Sequence, residues 1–62
     1  MEILHLVRSR EDLTESIQSI LDAEASQHRT RIIYLSDREA DPTAFDAELF
    51  GAIRDAARVF SW

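Results

Sequence analysis

The sequence contains no cysteine and no lysine, and its 62 residues include a single glycine and a single proline. Without cysteine the chain cannot form disulfides, carry a persulfide or bind a metal through thiolates. Only His5 and His28 offer imidazole ligands, and no carboxylate spacing completes a metal site around them, so neither a metal nor a cofactor is predicted. Because a domain this small hides only about 60% of its unfolded surface, self-association is the remaining way to add stability.

The charge is acidic, with a formal net value of −5. An acidic chain repels the phosphate backbone, so nucleic acid is not expected as a partner. The arginines at 8, 10, 29 and 31 are interpreted as residues that flank strands and keep sheet edges soluble. No run approaches the ~20 apolar residues of a membrane span, and residues 3–7 do not form the core of a signal peptide. A cytoplasmic protein without membrane contact is expected.

Apolar runs at 3–7, 32–35 and 59–62 alternate with two stretches of helical periodicity. This order predicts strands over 2–8, 31–36 and 59–62 and helices over 10–27 and 42–56, in one domain spanning 1–62. The first run does not alternate with polar residues, which indicates a central strand covered on both faces. We therefore predict an α/β fold: a minimal βαβαβ three-stranded parallel sheet, order 2-1-3, with one helix on each face. This is half of a doubly wound, Rossmann-like architecture. Order 1-2-3, with both helices on one face, is the alternative.

The helix starts follow from capping chemistry. Ser9, with Asp12 three residues later, predicts a cap for the first helix. Pro42 suits the first turn of the second helix, which either Asp41 or Thr43 can cap, and residues 36–41 read as a polar loop. The apolar stripes of the two helices comprise Leu13, Ile17, Ile20, Leu21 and Ala25, and Phe45, Leu49, Ala52, Ile53 and Ala56.

Two residues stand out inside these elements. Gly51 lies mid-helix, where glycine costs up to ~1 kcal/mol relative to alanine, so we expect another group to approach its backbone closely. His5 interrupts the first strand, and it is interpreted as a strand histidine with one satisfied hydrogen bond.

A ligand in a sheet of this order would lie beyond the carboxyl ends of the strands. Those ends carry Arg8, Ser9 and Arg10 after the first strand and Ser36 and Asp37 after the second. They are candidate ligands for an anion or nucleotide. However, neither loop contains glycine and no nucleotide-binding motif is present, so caps and turns are the favoured interpretation. No catalytic residue is predicted.

The last strand supplies candidate interface residues, namely Val59, Phe60 and Trp62. A short edge strand can pair with another chain, and tryptophan is enriched among interface hot spots. Trp62 either plugs the end of the core or forms an exposed anchor for a partner.

The opening Met1-Glu2-Ile3-Leu4-His5-Leu6-Val7-Arg8-Ser9, and the closing Phe45 with Ala57-Arg58-Val59-Phe60-Ser61-Trp62, resemble the two ends of the DsrE/DsrF/DsrH sulfur-relay superfamily. The DsrH/TusB branch is the most similar. Family members are longer, and their active carriers hold sulfur on a cysteine that this chain lacks. The resemblance therefore implies a small α/β subunit that assembles with itself or with relatives.

The sequence favours a non-catalytic interaction or assembly module that forms a homodimer or joins a small α/β partner subunit. The alternative is a domain that binds a nucleotide or anion, or acts as an enzyme, at the strand carboxyl ends.

Overall fold

The apolar runs form the strands of one parallel sheet in a computed structural model that describes all 62 residues. The strands are β1 (Glu2–Val7), β2 (Arg29–Tyr34) and β3 (Arg58–Ser61), and the helices are α1 (Glu15–Ala25) and α2 (Pro42–Asp55). The strand order is β2-β1-β3, which confirms the predicted 2-1-3 arrangement. Neither helix is long and apolar enough to cross a membrane.

The central strand β1 is buried on both faces, as its non-alternating apolar run predicts. Residues 2–7 pair with 29–34 of β2, and residues 3–6 pair with 58–61 of β3. Side chains along β1 point alternately to the two faces. Side chains on both faces are buried, namely Leu4 on one face and Ile3, His5 and Val7 on the other.

The two faces of the sheet are covered unequally. Leu4 faces α2 within an apolar cluster completed by Ile33, Phe45 and Ala52, with Leu6, Leu49 and Ala56 packed around it. The opposite face is covered by α1, whose only buried residue is Leu21. Because α1 connects β1 to β2, it lies on that side of the sheet and leaves the same face of β3 open. Only 8 of the 62 residues are buried.

The predicted start of the first helix is wrong. Residues Arg10–Asp12 form a short 3-10 helix, and α1 begins only at Glu15 and ends at Ala25. The hydroxyl of Ser9 donates to the Asp12 carboxylate at 2.9 Å, so it caps no backbone N–H. Instead Thr14 caps α1, because its Oγ1 accepts the N–H of Ile17.

Other boundaries also shift. Strand β2 starts at Arg29 because the N–H of that residue donates to the Met1 carbonyl, so pairing begins two residues before the predicted start. The segment Leu35–Glu39 is a 3-10 helix where a strand end and a loop were expected. For α2, Asp41 is confirmed as the cap, since its Oδ1 accepts the N–H of Ala44 at 3.2 Å.

The helical stripes are narrower than predicted. Ile20 and Ala25 on α1 and Ile53 on α2 are exposed. Ile20 borders the uncovered part of the sheet beside β3, so the helix has no strand side chain against which to bury it.

Gly51 makes no close approach, so the predicted packing reason is wrong. A methyl group built on this residue would meet nothing within 4 Å beyond the helix backbone and its chain neighbours. The glycine therefore weakens α2 without a compensating contact inside the chain.

Replacing Gly51 by alanine should stabilise the domain by about 0.5–1 kcal/mol, because it removes the conformational-entropy cost of a mid-helix glycine. Urea unfolding followed by circular dichroism measures the change. The matched control is Ala47→Gly at an exposed position of the same helix, which should destabilise by a similar amount. A loss of stability in Gly51→Ala would contradict this account.

Candidate functional site

The side chain of His5 joins α1 and β3 across the open face of the sheet. Its Nε2 lies 2.7 Å from Oε2 of Glu24 on α1, and its Nδ1 lies 2.9 Å from the indole Nε1 of Trp62, just after β3. The imidazole is almost completely buried, with 1% of His5 exposed. Where one hydrogen bond was predicted, the ring has two, and both nitrogens are satisfied.

The partners fix the protonation state of this ring. An indole N–H can only donate, so Nδ1 of His5 must accept through its lone pair. The ring proton therefore sits on Nε2, which donates to the Glu24 carboxylate. His5 is thus the neutral Nε2–H tautomer, as assigned from its hydrogen-bond partners.

Two aromatic rings cover His5. The Phe60 ring stacks on the imidazole at a centroid distance of 5.4 Å and an angle of 16°, and the indole of Trp62 lies at 6.0 Å and 29°. Both residues are nevertheless exposed, Phe60 by 40% and Trp62 by 43%. Trp62 is thus held by its indole N–H while much of the residue faces solvent, and its role as an anchor for a partner stays a prediction.

An open cleft of about 440 Å³ runs between α1 and β3 above these rings. Its lining combines apolar and charged side chains. Oε1 of Glu24 has no partner in the protein, and Arg58 makes no ion pair. The cleft is lined by Met1, Ile3, His5, Ile20, Ala23, Glu24, Gln27, His28, Arg58, Phe60 and Trp62.

The Glu24–His5 pair resembles the base-orienting half of a catalytic triad. In a catalytic site, however, the second imidazole nitrogen faces a nucleophile or substrate. Here the Trp62 indole N–H donates to that nitrogen, Nδ1, and no hydroxyl hydrogen-bonds to the ring. The geometry holds an aromatic side chain in place and activates no nucleophile.

The candidate anion ligands after β1 are engaged within their own loop. Arg8 bonds the Asp12 carboxylate through Nε at 3.1 Å and Nη2 at 3.2 Å, beside the Ser9 hydroxyl. The hydrogen bond from Arg8, assisted by Ser9 and by the charge of Arg8, holds the pKa of Asp12 below its ordinary value.

The structure brings Arg10 and Asp37 together from the two carboxyl-end loops. Their bidentate ion pair has distances of 2.7 and 3.1 Å, and the Arg10 guanidinium lies 4.3 Å from the ring centre of Tyr34. The backbone N–H of Ser36 donates to the carbonyl of Arg8. These contacts join the loops to one another, and an anion at this edge stays a prediction.

The predicted interface residues lie on the two faces of β3. Val59 pairs with Leu4 and shares the α2 face, whereas Phe60 pairs with His5 and shares the α1 face. Sequence reasoning missed Glu24 as the partner of His5. Its position three residues after Leu21, at the margin of the apolar stripe, is the signal that could have identified it.

Comparison with protein-family models, with curated proteins and with solved structures finds no match to this chain. Its class therefore rests on the fold, a three-stranded parallel α/β domain. Its resemblance to the sulfur-relay superfamily stays a prediction.

Replacing Asp37 by asparagine should lower the thermal unfolding midpoint near neutral pH and have no effect in strong acid. The hydrogen bond and charge of Arg10 lower the pKa of Asp37 below 3.8. The stabilisation is therefore fully present above that value and is lost as pH falls through the lowered pKa of the folded state. Thermal melts of both proteins across this range provide the measurement. A difference between them that persists in strong acid would contradict the assignment.

Proposed function

We propose that this domain is a non-catalytic interaction module that self-associates through the free edge of β3. The observation that carries the proposal is an unpaired strand edge next to two exposed aromatic residues, Phe60 and Trp62. Unpaired strand edges are templates for pairing with another chain, and aromatic side chains are the usual anchors of interfaces.

The backbone of β3 offers two residues for such pairing. The N–H of Trp62 donates to the Leu6 carbonyl at 2.9 Å, so the backbone of Trp62 faces β1. Because backbone groups alternate along a strand, the N–H and C=O groups of Val59 and Ser61 face the unpaired side.

The other edge of the sheet is protected. Strand β2 carries Arg29 and Arg31, and Arg31 forms an ion pair with Glu48 at 2.9 Å. Charged side chains discourage pairing at an edge. On β3 the only charge is Arg58, at its first position, so β3 is the more favourable edge.

A second copy of the chain fits this edge by symmetry. In an antiparallel pair with its twofold axis at Phe60, Val59 lies opposite the partner's Ser61, and the two exchange backbone hydrogen bonds. Phe60 lies opposite its own copy in a close, non-hydrogen-bonded pair, and Arg58 lies opposite the partner's Trp62. Aromatic and cation–π pairs are favourable at such positions.

The small core gives self-association an energetic reason. The chain exposes 4413 Å², whereas the scaling for folded monomers gives roughly 4,100 Å² at its mass of 7.1 kDa. A standard interface covers about 800 Å² per partner. A dimer of that kind would cover the apolar surface left open on β3 and α1.

Sedimentation equilibrium tests the proposal. We expect a concentration-dependent dimer, and Phe60→Ala should raise its dissociation constant by about tenfold or more, as for a hot-spot aromatic. The matched control is Phe50→Ala on α2, which removes a more exposed phenyl ring, at 65%, from the other face. A monomer at all concentrations, or an effect of Phe50→Ala alone, would overturn the proposal.

The register is tested by cross-linking, since the chain has no native cysteine. Mixing Val59→Cys with Ser61→Cys should give a disulfide-linked heterodimer on oxidation, because antiparallel neighbours lie within the ~4.4–6.8 Å that a disulfide needs. Neither variant alone should cross-link efficiently. Equal cross-linking of each variant with itself would exclude pairing centred on Phe60.

Strong binding to a different small α/β subunit without a homodimer would identify a heterologous partner and overturn self-association.

A further inference from the structure

We infer that protonation of His5 releases Trp62 and thereby weakens self-association, so that the β3 surface is regulated by pH. This inference rests on the proposed function for its consequence. The release itself rests only on the hydrogen bonds of the single chain.

The chemistry follows from the two nitrogens of His5. At present Nε2–H donates to Glu24 and the lone pair of Nδ1 accepts from Trp62. A proton added from solvent would bind the Nδ1 lone pair and make that nitrogen a donor. The N–H of Nδ1 and the indole N–H of Trp62 would then face each other, so the hydrogen bond between these two nitrogens would be lost. The hydrogen bond from Nε2 to Glu24 would join a positively charged imidazolium to a carboxylate. Of the two contacts, therefore, only the one to Trp62 is lost.

The surroundings determine which groups respond. From α1, Glu24 contacts the ring, and Arg58 from β3 lines the same cleft. His28 and Met1 with its amino group line it as well. On β2, the neighbours on this face are Thr30, Ile32 and Tyr34 by register with Ile3, His5 and Val7. Tyr34 is the only titratable side chain among these three. Glu24 is therefore the one charged partner of His5, and it remains bound in both states.

Release would act on the edge strand directly. Trp62 follows β3, and its backbone N–H makes the hydrogen bond to Leu6 at the end of that strand. Without the hydrogen bond from its indole to His5, the Trp62 side chain at the end of β3 is no longer held in place. A partner would then have to order Trp62 on binding, and ordering a mobile side chain lowers affinity.

The predicted direction is opposite to the general effect of charge. Protonating histidines makes the net charge of −5 less negative, which reduces repulsion between two copies. Charge alone would thus tighten a dimer at lower pH, whereas release of Trp62 would weaken it. The sign of the pH effect separates the two mechanisms.

The experiment combines fluorescence of the single tryptophan with the dimer dissociation constant, both measured between about pH 8 and pH 5.5, where histidine is the side chain that ordinarily titrates. In wild-type protein and in the control His28→Asn we expect a fluorescence transition. We also expect about a tenfold rise in the dissociation constant of the dimer as pH falls.

In His5→Asn, whose amide oxygen can accept the indole N–H without titrating, both changes should be absent. Trp62→Phe keeps an aromatic side chain but has no N–H, so its association should also lose this pH dependence, which provides a test if His5→Asn does not fold.

The outcomes are distinct. A fluorescence transition that is absent, or that survives in His5→Asn, overturns the release of Trp62. A transition with an unchanged or smaller dissociation constant overturns its effect on association. A wild-type protein that is monomeric at every pH overturns the proposed function, while the fluorescence of the monomer still decides whether His5 controls Trp62.

Discussion

The hydrogen-bond chain from Glu24 through His5 to Trp62 is the constraint on which this small domain depends. A histidine in the middle of a central strand must satisfy two polar nitrogens away from water, and an unsatisfied buried group costs about 1–3 kcal/mol. Here one partner comes from α1 and the other from the residue after β3. The two hydrogen bonds of His5 therefore tie α1 and the end of β3 to β1 through one side chain.

The other face of the sheet is built on apolar packing. Leu4, Ile33, Phe45 and Ala52 bury one another under α2 without any polar group. This face gives the domain its continuous core, whereas the α1 face combines a buried polar centre with an open cleft. The division explains why the exposed aromatic residues of β3 gather on the α1 side, where no helix covers that strand.

Much of the fold could be predicted because it depends on local patterns. The non-alternating apolar run around Leu4 indicated a central strand, and Pro42 with Asp41 marked the start of α2. The errors arose where local signals competed. Ser9 and Thr14 both precede carboxylates at helix-start positions, and only the loop contacts of Asp12 decide between them. The candidate site depended on a contact between residues 19 positions apart, His5 and Glu24, which no spacing rule predicts. Gly51 is an error of the opposite kind, because its position in the middle of a helix suggested a close contact that the structure does not contain.

The most direct test of this account is the tautomer of His5, measured by nitrogen-15 NMR of the imidazole in wild-type protein at mildly alkaline pH. The account predicts a proton on Nε2 and a bare Nδ1 that is coupled by a hydrogen bond to the only indole N–H in the chain. A proton on Nδ1, or an indole N–H that exchanges freely with solvent, would contradict it.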